Sequence, residues 1–262
     1  MINFMQRALI KKDIRSVTAN KQIFSVLLIV PLVMTVVLPS VFILIVILSP
    51  TDSEDFQQLL ALLPVTTVAD PVHMVIKLLL DSILPIFFLL IPIMAASVMA
   101  ASSFVGEKEK HTLETLLYSP MTIKQIYHAK VYASFVLSMF VALSSFVVMI
   151  LVVEIEVRLL TGVFILPGLS WLPLIIVVSP ALSLIAITLI VQGSAKAQSV
   201  EESQQRSVFL ILPIILLAVG QFAGVMLINE WMLLALGAVL AAIAWLLLKR
   251  SFKGLGYERL LK

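Results

Sequence analysis

Reaction chemistry needs groups that attack, shuttle protons, hold metals or cradle phosphates, and this chain is poor in all of them. None of its 262 residues is a cysteine, which removes thiol nucleophiles, thiolate metal sites and disulfides and leaves the compartment open. No stretch reads G-x-x-x-x-G-K-[ST], so there is no glycine-rich cradle with a lysine reaching a nucleotide's phosphates. The histidines are His73, His111 and His128, and H-E-x-x-H does not occur. Two groupings have spacings worth weighing. His73, Lys77 and Asp81 lie four apart, which stacks them along one face of a helix that Asp70-Pro71 can start. They suit either the mouth of a substrate path or the wet side of a helix at the membrane surface, the second being the plainer reading.

The other grouping, E-E-S-Q-Q-R from Glu201 and Glu202 to Arg206, matches the E-E-x-x-x-R signature of intramembrane prenyl-protein proteases. Such an enzyme needs carboxylates and histidines around an activated water. All three histidines precede the motif and none falls in an apolar run. A polar connection between helices accounts for the segment more simply.

The elements that position these residues follow from composition. Hydrophobic residues make up 61% of the chain and charged residues 13%, about half the ~25% charge of a soluble domain, so a water-soluble globule is excluded. Six apolar runs, 23–48, 83–104, 131–153, 172–191, 208–228 and 231–248, contain no Asp, Glu, Lys or Arg. Each is near the ~20 residues needed to cross ~30 Å of hydrocarbon, and a charge at the centre of such a helix costs at least ~2.5 kcal/mol. A barrel would show alternating segments of ~10 residues. The expected fold is therefore an all-α, polytopic membrane domain of six spans, a single unit over 1–262 that leaves no room for a soluble catalytic domain.

Sixteen of the 18 Lys and Arg residues fall in 1–22, 105–130, 192–207 and 249–262, while only Lys77 and Arg158 fall on the other side, beside eight acids. The positive-inside rule then places both termini in the cytoplasm, in the cell membrane. In residues 1–22, Arg7, Lys11, Lys12 and Arg15 share one helical face and Ile2, Met5, Leu9, Ile10, Ile14 and Val17 the other, with Phe4 and Asp13 breaking the pattern. This predicts an amphipathic helix at the level of the lipid headgroups. The first run follows with no small-residue cleavage site, as a permanent span whose bends belong at Pro31 and Pro39. A short surface helix is expected at 56–63.

Residues 105–130 are the most informative connection. Leu113, Leu116 and Leu117 form an apolar stripe, Ser119-Pro120 ends that short helix, and Thr122 with Gln125 makes a capping box for a helix running on into the third span. Glu107, Glu109, Glu114, Lys108, Lys110 and Lys124 are expected to face the cytosol. An apolar stripe beside an ordered cap predicts that something packs on this loop.

The stretch GEKEKHTLETLLYSPMT resembles the G-E-[KR]-E-x-x-T-L-E-x-L-L-x-[ST]-P segment of permease subunits of type-2 ABC exporters, and KKDIRSVTANKQ resembles their Lys-x-(acid)-x-Arg interfacial segment. The order of parts is similar as well. The resemblance implies that Glu107, Glu109, Thr112, Leu113, Glu114, Leu116, Leu117, Ser119 and Pro120 form a coupling element for separate ABC ATPase subunits, that ATP and Mg bind on those partners, and that a second permease completes the path. No cofactor is expected in this chain, and a net charge of +3 is too small to argue for a nucleic-acid partner. Many members place re-entrant half-helices before the last span, whereas only Asn229 and Glu230 separate the last two runs here.

Gln221, between Gly220 and Gly224, is a candidate for the substrate path or for helix packing. Ser134, Ser138 and Ala142 predict a close-contact face on the third span. The runs hold no carboxylate for a coupling ion, which argues against an ion-coupled secondary transporter.

Overall fold

The computed structural model describes residues 3–48, 71–112, 115–116, 118–194, 197, 199–205, 208–222 and 230–253. Among them every regular element is helical: α1 (Phe4–Ala19), α2 (Lys21–Leu48), α3 (Val72–Glu109), α4 (Ile123–Thr161), α5 (Trp171–Ser194), α6 (Val200–Gln205), α7 (Val208–Phe222) and α8 (Glu230–Lys253). Six helices are long and apolar enough to cross a membrane, α6 and α7 counting together as the fifth, so the chain is a multi-pass membrane protein. The expected helix at 56–63 lies outside the described residues, as does Asp70.

The helices are not equivalent. The most apolar window of α3 is 83% buried, against 22% for α2 and 28% for α4, so α3 is the axis around which the bundle is built. Its sequence allows this. Ala95, Ala96, Ser97, Ala100, Ala101 and Ser103 are all buried, and small side chains let neighbouring backbones approach closely where apolar attraction alone cannot distinguish helix from lipid. α3 packs chiefly on α4 and α5. On α4 the expected face, Ser134, Ser138 and Ala142, is buried, and the burial continues through Ser145, Met149, Val153 and Val157.

Three spans widen into a π turn, at Val33–Val37, Leu79–Ile83 and Leu174–Val178. In each, one residue follows the widened turn and then comes a proline: Pro39, Pro85 and Pro180. That following residue, Leu38, Leu84 or Ser179, bonds the carbonyl five positions back. Proline has no N–H and its ring presses on the carbonyl one turn earlier, so the chain relieves the clash by opening that turn. Pro39 is thus a site of distortion, as the sequence suggests.

The widened turns of α3 and α5 lie toward one end of the bundle, the end that carries the acids. There Phe88, Phe146 and Trp171 pack together, with Phe88 edge-on to Trp171 at 5.4 Å. The Trp171 indole donates to Leu80 O at 3.0 Å, the Ser170 hydroxyl to Asp81 O at 3.2 Å, and the Gly168 N–H to the Asp81 carboxylate at 2.5 Å. A Cβ on Gly168 would sit 2.8 Å from that carboxylate, so the approach requires glycine. Of the expected stripe, Asp81 therefore ties α3 to the loop before α5, His73 is half-buried, and Lys77 is exposed. α4 stays helical past its apolar run, and Glu156 accepts from Ser40 Oγ at 2.5 Å. Residues 41–48 of α2 are all apolar and run beyond Ser40, so this carboxylate stands level with a span.

Candidate functional site

At the opposite, basic end, three local signals bring α1, α3 and α4 together. Asn20 breaks α1 from α2, its Oδ1 accepting from Gln22 N at 3.0 Å and Ile23 N at 3.3 Å. α3 continues five residues past its apolar run and stops in a left-handed residue, His111 (φ 54°), with the Thr112 N–H returning to Glu107 O at 2.9 Å. α4 starts at the expected capping box, where Thr122 N donates to Gln125 Oε1 at 2.9 Å and Gln125 N to Thr122 Oγ1 at 3.3 Å. It then runs unbroken for 39 residues.

Where these ends meet, the buried Asp13, Glu107 and Lys130 form one cluster, closed on its outer side by the exposed Lys12. Lys130 is 2% exposed, and its ammonium donates to Ser103 O at 2.5 Å and Ser103 Oγ at 3.3 Å and meets Asp13 Oδ2 at 3.4 Å. Ser103 Oγ donates to the same Asp13 oxygen at 2.6 Å. Glu107 Oε1 lies 3.7 Å from Lys130 and 2.5 Å from Lys12, and Glu107 Oε2 accepts from the Thr112 hydroxyl. The Phe104 ring stands 5.7 Å below the Lys130 ammonium. Two cations thus face two carboxylates, as burial of charge demands. Burial raises the Glu107 pKa, but Lys130, Lys12 and the Thr112 hydroxyl more than offset this and hold it below the ordinary value. The cluster fastens α1 and the start of α4 to the end of α3, so a push on the 110–122 loop reaches all three helices.

The expected coupling residues divide in this setting. Glu107 does not face solvent: α1 lies across the end of α3, and the carboxylate points into the cluster. Glu109 is exposed and accepts the Val200 N–H at 3.3 Å, capping α6. Thr112 and Pro120 are exposed and Ser119 half-buried. Leu116 turns inward onto Leu9, Ile126 and Ala129. Leu113, Glu114 and Leu117 lie outside the described residues. Arg7, Lys11, Lys12 and Arg15 stand on the exposed side of α1 while Leu9, Asp13 and Val17 are buried against protein. Gln221 lies in the last turn of α7, with its side chain outside the described residues. Glu201 and Glu202 sit on exposed positions of α6, Arg206 is outside the described residues, and among those described no group of three His, Cys, Asp or Glu could hold a metal.

Sequence reasoning passed over Asp13, Ser103 and Lys130. The available signal was Asp13 itself, the acid that spoils the apolar face of α1. No curated protein and no solved structure matches the chain. A family model does, that of the ABC-2 type transporter, over residues 6–232. With most of its length so matched, the chain belongs to the ABC-2 type transporter family.

Proposed function

We propose that this chain is the membrane permease of an ATP-driven exporter, with ATP and Mg bound on separate ATPase subunits that dock at the basic end, which faces the cytoplasm. Two permeases, identical or not, enclose the path and alternate between inward- and outward-facing arrangements. The observation that carries this reading is the buried cluster, because it makes the 110–122 loop, α1, α3 and α4 one mechanical unit at the end where the basic residues collect. Docking on exposed groups of that loop would turn the unit as a whole, whereas a passive connection would need no such fastening. α6, capped by Glu109 beside the same unit, would move with it.

The inward turn of Leu116 moves the docking surface to neighbours such as Tyr118, which is 90% exposed. A test uses the absence of native cysteine. Cysteines placed at Tyr118 and Ser199 should be protected from an impermeant thiol reagent in intact cells, a cysteine at Ser53 should be labelled, and Tyr118→Cys should cross-link to the co-expressed ATPase. Labelling of Tyr118→Cys from outside, or its failure to cross-link in a complex that still hydrolyses ATP, would exclude this reading.

A further inference from the structure

A cavity of about 340 Å³, within the ~300 to 1,000 Å³ range of small-ligand sites, opens at the basic end between α1, α4, α5 and α8. Its wall grades in polarity. Gln6, His128 and Tyr132 bring polar tips, while Ile10, Val131, Phe135, Leu184 and Leu248 are apolar. Along α4 the change from His128 to Phe135 covers seven residues, or ~10 Å of rise toward the middle of the bundle, the order in which a lipid passes from headgroup to chain.

Among the described residues the charge around the mouth has one sign. The last turns of α8 are pinned to α4 by the Tyr127 hydroxyl and Ser251 Oγ, 2.7 Å apart, so exposed Lys249 and Arg250 stand at the height of His128. Arg7 follows Gln6 on α1 and is also exposed. No carboxylate occurs in residues 123–135, in α5 or in residues 240–253, and the single one of α1, Asp13, is buried with Lys130. An amphipathic wall under an unopposed basic rim has the complementarity of an anionic lipid. We infer that the cavity holds one acyl chain of an anionic phospholipid, with its phosphate among Arg7, Lys249 and Arg250. The site is separate from the charge cluster and does not depend on how ATP is coupled.

The test is native mass spectrometry of the purified full-length chain with dioleoyl phosphatidylglycerol and dioleoyl phosphatidylcholine added in equal amounts. One phosphatidylglycerol should be retained, preferred about a hundredfold, since each of the three rim cations contributes roughly fivefold at an anionic headgroup. Changing Arg7→Ala, Lys249→Ala and Arg250→Ala together should bring the ratio close to one while a lipid still binds. Leu248→Trp, which fills the cavity, should remove both lipids, and Leu184→Trp, from a half-exposed position on α5, should do the same if the first variant does not fold. Equal retention of the two lipids by the unmodified chain overturns the inference. So does undiminished phosphatidylglycerol on a filled variant with the thermal stability of the parent, or a dimer of this chain that excludes the lipid from the cavity.

Discussion

The two ends of the bundle are held by different physics. At the basic end Asp13, Glu107, Lys12 and Lys130 fasten three helices through charge. At the acidic end the fastening of α3 to the loop before α5 uses backbone and indole groups around Asp81, Gly168 and Trp171, beside π turns. Charge confined in a poorly solvated place resists the loss of any one member, because those left behind are uncompensated. Contacts to backbone at a close approach depend instead on shape. The basic end should therefore be intolerant of neutralisation and the acidic end intolerant of added volume.

The largest effect should come from Lys130→Met, which leaves Asp13 and Glu107 buried without their shared cation. Removing one partner of a buried pair costs about 3 to 5 kcal/mol, and thermal unfolding in detergent should show a large loss. Combining it with Asp13→Asn should recover part of that loss, since the double variant buries one fewer unmatched charge. A single variant as stable as the parent would mean that charge does not hold this end.

Gly168→Ala comes next. Its new methyl would lie 2.8 Å from the Asp81 carboxylate, so that carboxylate swings aside and the Gly168 N–H loses its acceptor. The expected destabilisation is about 1 to 3 kcal/mol. Asp81→Ala in the same background should add little, as both changes break one contact. Additive losses would show that volume and hydrogen bond act independently and would weaken the contrast between the ends.

The smallest effect has the opposite sign. His111 ends α3 in the left-handed region, where a side chain crowds the following carbonyl and glycine does not. His111→Gly should raise stability by about 0.5 to 1 kcal/mol after the greater chain entropy of glycine is deducted. Reduced stability would instead give the imidazole a part in the basic end that its exposure does not suggest.

How far the sequence could be read depended on the range of each interaction. The six runs were legible because a span is a local length of apolar residues, and the Thr122–Gln125 box because both partners lie within one turn. Pro39 marked a strained place in α2, though not the form the strain takes, since widening depends on how a whole turn of carbonyls rearranges. Lys130 and Asp13 are 117 residues apart, and nothing local links them. For the same reason Glu107 read as a cytosolic charge and Leu116 as a docking leucine, when both have partners on α1. The central place of α3 was hidden as well, because apolar residues mark lipid-facing and protein-facing surfaces alike. Its clustered alanines and serines were the one clue.

The proline-linked π turns also bear on how movement would pass through the molecule. An intact α-helix is a stiff rod, while a widened turn is a place where it gives. α3 and α5 have that place near the acidic end and α2 has it at mid-length, so each of the three acts as a lever with a joint along it. A displacement of the fastened basic ends would reach the far side as a change of angle at the turns before Pro39, Pro85 and Pro180.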